Sequence, residues 1–398
     1  MIPFARNQFN KSFSEKKYQE FLTDLNQSFH HTIPFRVAES PVFVGHDLKK
    51  KILTVSDQII DFIVRHDFKK ITNRAIPENL FVPNETAHTL FLALDFAIVK
   101  NEEGELDPQL IEMQGFPSLF GWQDFLGAKF REHFSIPENY SNHFGLSRKA
   151  YQDQLTKILL NGHDPKNVVL LEIDPLKQNT AIDFLITEKL TGVSPVDIAS
   201  IERKGKNLFY KKNGEKILIR RIYNRVIFDE LVKRKDLKLN FNLTEEVEVE
   251  WAGHPNWFFR ISKFTMPFIK SPFIPECKFL SEYKTFPSDL ENYVLKPLFS
   301  FSGSGVIFHV KSSDLEAIPD SERGNFLLQR KIQYEPIIQA PDGLVKTEIR
   351  LLFVWDENQA RPTLMTNLAR LSRGEMIGVK FNKDKTWVGG SVCFFEPD

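Results

Sequence analysis

The sequence predicts an α+β protein in which a small α/β unit lies between an N-terminal part and a strand-rich C-terminal part. Three observations carry this. Residues 1–70 place apolar side chains at helix spacing, residues 147–255 alternate helix and strand patterns, and strand patterns dominate from Tyr293 onward.

The chain has 398 residues, which at roughly 150 residues per domain suggests two or three domains. Hydrophobic residues make up 42%, ample for a buried core, so global disorder is excluded. Basic and acidic residues balance at 52 each, which argues against a dedicated nucleic-acid or membrane-surface binder. Two cysteines, Cys277 and Cys393, give neither a disulfide framework nor a thiolate cluster. The start, MIPFARNQFNKSF, lacks the apolar stretch of a secretion signal, and no window approaches the roughly 18 apolar residues of a membrane span. A cytoplasmic protein is expected.

The elements follow in order. Tyr18, Phe21, Leu22, Leu25 and Phe29 recur at helix spacing, as do Ile52, Val55, Ile59, Ile60 and Ile63. In residues 89–99, Leu90, Leu92, Leu94, Phe96 and Ile98 form one face of a strand. NEEGELD supplies a turn and QLIEMQG a returning strand. Residues 147–161 read as a helix stopped at Gly162, NVVLLEID as a buried strand, 179–190 as a helix and VSPVDI as the next strand. Asn213-Gly214 suits a type I′ turn inside the hairpin LFYKKNGEKILI. Beyond it, YVLKP, GVIFHV, NFLLQRKI, TEIRLLFVW and PTLMTNLARL read as strands.

Two constellations carry chemistry. In the first, Lys296 precedes the small-residue loop Ser300–Gly305, in which Ser302, Gly303, Ser304 and Gly305 can present N–H and O–H donors to a phosphate. A Walker A loop has its lysine after the glycines and a helix next; here the order is strand, loop, strand, the pattern of a flap. The plain alternative is a Ser/Gly hairpin with an exposed lysine. In the second, Glu112 and Gln114 are two apart on a strand and share a face. If Lys100 pairs with Asp107 across the turn, the same register sets Asp95 opposite Glu112. Two facing carboxylates are destabilising unless a cation lies between them, and oxygen ligands suit Mg²⁺. The plain alternative is a polar hairpin edge, which leaves Asp95 unexplained inside an apolar strand.

Together the pieces resemble the ATP-grasp superfamily in circularly permuted order, with the arrangement of glutathionylspermidine synthase-like proteins and eukaryotic glutathione synthases. Val294-Leu-Lys-Pro297, the loop Ser300–Gly305, the hinge-like Leu328-Gln329-Arg330-Lys331-Ile332 and Glu348-Ile-Arg350 follow the family's order. The metal motif that should come last stands near the front, as LDFAIVKNEEGELDPQLIEMQ. ILIRRIYNRVIFDEL resembles an arginine-rich strand of permuted members. The resemblance covers most of residues 89–398. It implies three parts: 1–146, N-terminal helices plus the metal-binding segment; 147–255, a pre-ATP-grasp-like α/β domain inserted in the fold; and 256–398, the nucleotide-binding lobes.

The resemblance also implies roles. Lys296 contacts the α- and β-phosphates, and Lys263, with Lys270 as competitor, is the earlier lysine of the grasp. Gln329 and the backbone at Lys331 and Ile332 hold adenine, and Glu335 the ribose. Asp95, Glu112 and Gln114 hold Mg²⁺; Gln114 stands where asparagine is usual. Arg350 and Arg370 face the transferred phosphate, and Arg221 and Arg225 bind the carboxylate substrate. Ala93 replaces an arginine found two before the metal aspartate in the glutathionylspermidine synthase group. The expected function is an ATP-dependent carboxylate–amine (or thiol) ligase that passes through an acyl phosphate, uses ATP and Mg²⁺, and takes small-molecule carboxylate and amine substrates. The alternatives are an ATP-grasp kinase or phosphotransferase, and an inactive nucleotide-binding scaffold.

Overall fold

A computed structural model describes residues 2–298, 305–374, 377 and 382–397. Its centre is an antiparallel sheet built from both ends of the chain. In spatial order the strands are Gly389–Ser391, Thr363–Ser372, Gly343–Val354, Phe91–Lys100 and Leu106–Gln114, with Ile338–Ala340 paired to the end of the third. The early hairpin therefore lies directly beside the late strand that carries Glu348 and Arg350.

Leu92, Leu94, Phe96 and Ile98 face one side, as their alternation predicts, and join a core with the N-terminal helices, whereas Leu90, expected on the same face, precedes the strand and joins the opposite core. Glu15–Gln27 starts where the Ser14 side chain accepts from the Lys17 N–H, and it buries Tyr18, Phe21 and Leu25. His46–Ile63 buries Ile52, Val55, Ile59 and Ile63 against the same core. The strand Val42–Val44 was not legible in the sequence. It pairs in parallel with Cys393–Phe395 and ties the two ends of the chain together.

The opposite face of the sheet meets the small α/β unit. There Phe91, Ala93 and Leu352 share a core with Tyr151, Leu155, Val168 and Tyr223. That unit holds a four-stranded parallel sheet in the order Glu250–Ala252, Arg221–Asn224, Val168–Glu172, Ser194–Asp197. Val168–Glu172 is buried throughout, which accounts for its unbroken apolar run. The helices are Arg148–Leu160 and Ala181–Thr191, and Gly192 ends the second with φ 78°. The expected hairpin pairs Asn207–Lys212 with Glu215–Ile219, and Asn213 and Gly214 both have positive φ, as a type I′ turn requires.

A three-stranded antiparallel sheet in the order Cys277–Phe279, Phe326–Arg330, Tyr293–Pro297 completes the frame. GVIFHV was expected to be a strand. It is not one: only Ile307 bridges back to Leu295, through hydrogen bonds of 2.9 and 3.0 Å. Val310 is buried and Ile307 packs against the same small core as Leu280, Leu295 and Leu328, but a single bridge is all that joins the segment to the sheet. Among the described residues no helix is long and apolar enough to cross a membrane.

Candidate active site

The antiparallel register assembles the site. Asp95 lies opposite Glu112 on one side and Arg350 on the other. Glu348 lies opposite Arg370, and Gln114 opposite Ala93. Residues directly across a ladder share a face, so all six polar side chains project from the same side of the sheet. The assumed pairing of Lys100 with Asp107 is off by one: Lys100 faces Leu106 and Val99 faces Asp107. A bulge at Ile111 shifts the ladder by one residue and restores Asp95 to Glu112.

Asp95 is almost fully buried and held by two guanidinium groups. Arg350 grips it bidentately, with Nε–Oδ1 and Nη2–Oδ2 both at 2.5 Å, and gives Nη1 to Ser118 Oγ at 3.0 Å. Arg370 Nη2 lies 3.0 Å from Asp95 Oδ2 and 2.6 Å from Glu348 Oε1. Burial alone would lower the Arg350 pKa, but Asp95 outweighs it and holds the guanidinium above its ordinary value. Burial raises the Glu348 carboxyl, helped by Asp95 and opposed by Arg370. Tyr334 O–H donates to Glu348 Oε2 at 3.2 Å.

The cation beside Asp95 is thus a pair of arginines. Among the described residues no group of three or more His, Cys, Asp or Glu side chains could hold a metal. Glu112 and Gln114 differ from Asp95: both are half-buried, and neither makes a hydrogen bond or ion pair among the described residues. Their oxygens fit a divalent ion as a two-ligand set completed by phosphates.

Two lysines approach from the nucleotide-lobe side. Lys296 Nζ reaches the carbonyl of the bulged Ile111 at 3.5 Å, so the late strand touches the early hairpin at its irregular point. Burial pushes the Lys296 pKa down to about 8; Glu112 opposes the shift and Lys263 adds to it. Lys263 is buried, donates to the Pro297 carbonyl at 3.3 Å, and is lowered by burial against the pull of Glu112 and Asp229.

Ser302, Gly303 and Ser304 lie outside the described residues. Gly305 has φ 72°, and a Cβ there would come within 3.1 Å of Pro297 Cγ, so Gly305 packs tightly on the end of the lysine strand. Gln329 lies opposite Val294 and Cys277 and is buried, and its ladder position puts it on the same face as Lys296. Lys331 N–H donates to Asn292 O at 2.8 Å, and its Nζ stands 4.8 Å from the Phe308 ring centre. Ile332 is half-buried. Glu335 N–H donates to Ile98 O at 2.9 Å, which ties the hinge to the hairpin.

Arg221 and Arg225 part company. Arg221 gives Nε to Leu159 O, Nη2 to Ile158 O and Nη1 to Glu250, so it caps the helix Arg148–Leu160. That occupation corrects its expected role in substrate binding. Arg225 follows its strand at the C-terminal edge of the parallel sheet, where ligands of such sheets bind. It donates to the Pro117 carbonyl and lies 5.4 Å from the Phe116 and Phe184 ring centres. Arg225 and Arg350 are thus tied to neighbouring residues of one loop, Pro117 and Ser118. Arg370 and Arg350 also line a cavity of about 450 Å³, with Phe35, Leu119, Trp122 and Leu368 among its apolar walls.

Sequence reading missed Glu348, Ser118, Tyr334 and Phe35. Glu348 had a signal, since it is two residues from Arg350 on a strand and must share its face. Phe35 had none, because its position depends on Gly389. There φ is 129°, and a Cβ would meet Arg36 O at 2.5 Å, so glycine alone lets residues 35–38 lie on the sheet edge.

No protein-family model matches the chain, and no curated protein sequence matches it. Among solved structures it is similar to a glutathione synthetase-like effector from Globodera pallida in its apo form, with a TM-score of 0.59, 10% identity and 96% of each chain covered. At that identity the likeness shows the fold alone: the chain has the mixed α/β fold of this glutathione synthetase-like effector.

Proposed function

We propose that the chain is an ATP-dependent carboxylate–amine ligase of circularly permuted ATP-grasp type. The observation that carries the reading is the convergence of Lys296 and Lys263, from the late lobe, on the hairpin of Glu112 and Gln114. Two oxygen-bearing side chains and two lysines are thereby brought to one place, the combination a triphosphate with its metal ion needs. The glutathione synthetase-like fold supports the same reading.

A carboxylate resists amine attack because the reaction would expel an oxide. Phosphorylation removes that obstacle: the acid's oxygen attacks the γ-phosphorus, ADP leaves, and an acyl phosphate forms. The amine then attacks the carbonyl carbon, phosphate departs, and the amine gives up a proton. Lys296 and Lys263 neutralise phosphate charge, and Arg370, anchored by Asp95 and Glu348, meets the transferred group. Gln329, Lys331, Ile332 and Glu335 are assigned to the nucleoside. Glu112 and Gln114 would hold Mg²⁺, which supplies charge neutralisation between phosphates when bound. Asp95 orients the arginines instead.

A second reading, a nucleotide-binding scaffold, is favoured by one observation: Asp95 is spent on guanidinium groups. ADP release separates the two. The ligase reading expects ADP and phosphate in equal amounts when ATP, an acid and an amine are supplied. ATP binding without ADP release under any such mixture would leave the scaffold.

A further inference from the structure

The cavity of about 450 Å³ beside Arg350 and Arg370 has an aromatic wall and two lysines that none of the assigned roles uses. Five of its lining side chains are cationic and only Asp384 is anionic. Arg350 and Arg370 already face carboxylates, and Arg36 pairs with Glu39, so Lys383 and Lys385 carry the cavity's unmatched positive charge. Lys383 and Lys385 also line the cavity, and their side chains make no ion pair among the described residues. Arg370 keeps about 39% of its side chain exposed, enough for a ligand to reach.

The rest of the wall is largely apolar, with Gln123, Thr180 and Asn382 as its neutral polar residues. Phe35 and Trp122 meet edge-to-face with ring centres 5.5 Å apart and form an aromatic corner. Leu119, Leu368 and Val388 extend it. The size is that of a small-molecule site, in which apolar surface supplies affinity and a few polar groups set orientation. An α-amino acid or peptide would bring an ammonium group beside the unmatched Lys383 and Lys385, with Asp384 the one lining carboxylate to receive it.

We propose that this cavity binds a small monocarboxylic acid with an aryl or alkyl body and no ammonium group, its carboxylate toward Arg370 and its body in the Phe35–Trp122 corner. Binding follows from the cavity alone; only the fate of the acid, activation by ATP, rests on the ligase reading.

Calorimetric titration of the full-length protein with 3-phenylpropionate, 3-phenylpropanol and glutamate tests it. The acid binds, and the alcohol and glutamate each bind at least tenfold more weakly. Phe35→Ala weakens 3-phenylpropionate about tenfold and leaves affinity for an ATP analogue unchanged. Glutamate binding as tightly as 3-phenylpropionate, or no binding of the acid at millimolar concentration, overturns the proposal. Hydroxylamine, which traps acyl phosphates as hydroxamates, reads the second layer. Binding of 3-phenylpropionate without hydroxamate upholds the cavity and removes the ligase reading. Hydroxamate from glutamate but not from 3-phenylpropionate does the reverse.

Discussion

Two buried clusters of carboxylates and arginines lie on the two main sheets, and they resolve their charge differently. On the central sheet, Asp95 and Arg350 face each other in register and are matched atom to atom. At the C-terminal edge of the parallel sheet, Glu172, Asp183 and Arg225 come from a strand end, a helix and a loop. No ladder aligns them. Asp183 Oδ1 accepts from Trp122 N–H at 2.8 Å, while its Oδ2 and Arg225 Nε find no hydrogen-bond partner. Burial there raises the Asp183 carboxyl and pushes Glu172 up to about 8. Antiparallel register sets carboxylates opposite guanidinium groups, whereas convergent strand ends leave groups with incomplete partners.

The largest expected effect tests the matched pair. Arg350→Ala strands Asp95 with one partner where it had two and should cost about 3–5 kcal/mol of stability, the loss usual for half of a buried ion pair. Arg225→Ala removes a bond to a neutral carbonyl and should cost about 1–3 kcal/mol. Denaturant unfolding of both variants reads the difference, and equal losses would break the contrast.

The unmatched cluster has a pH signature. Glu172 has a folded pKa near 8 against an ordinary 4.5. Between those values the folded chain holds more protons than the unfolded one, so stability falls as pH rises across that window and levels off above it. Glu172→Gln keeps the neutral form at every pH. It should flatten the slope and stabilise the protein at pH 8 by on the order of 3 kcal/mol, with little gain at pH 4.5. Thermal melts across this range decide it; a parallel slope in the variant would mean that Glu172 is ionised in the fold.

Much of the matched region was legible and little of the unmatched one. Asp95 inside an apolar strand, Glu112 and Gln114 at a spacing of two, and Arg350 on a late strand all obey a period of two, which is local in sequence. The facing of Asp95 and Glu112 came out right although the register behind it was off by one, because the Ile111 bulge compensated. A bulge has no sequence signature here. The arginines that occupy Asp95 were invisible for another reason: each was given a role toward a ligand, and nothing local says that a guanidinium turns to its neighbour instead. Glu172 and Asp183 carried no pattern, since their burial depends on how separate elements close over them.

Lys296 stands between the two cases, a charged group near partners but matched to none of them. Its pKa of about 8 means that it loses charge just above neutrality. If it meets phosphate, ATP affinity should fall up to tenfold per pH unit above 8, because the neutral amine no longer attracts the anion. In Lys296→Met affinity should be weaker at pH 7 and flat with pH. Titration at several pH values checks this, and an unchanged slope in the variant would remove Lys296 from phosphate binding.

The smallest effect separates charge from burial through two tyrosines. Tyr334 O–H donates to the Glu348 carboxylate at 3.2 Å, and Tyr151 O–H to the neutral Phe120 carbonyl at 2.7 Å. Tyr151 is fully buried and its bond is the shorter, so burial and distance favour it. Charge favours Tyr334, since hydrogen bonds to ionised groups contribute about twice as much as neutral ones. Tyr334→Phe should therefore cost roughly 2 kcal/mol and Tyr151→Phe about 1 kcal/mol. Unfolding of the two variants reads the contrast, and a Tyr334→Phe loss no larger than the Tyr151→Phe loss would mean that burial and distance outweigh charge.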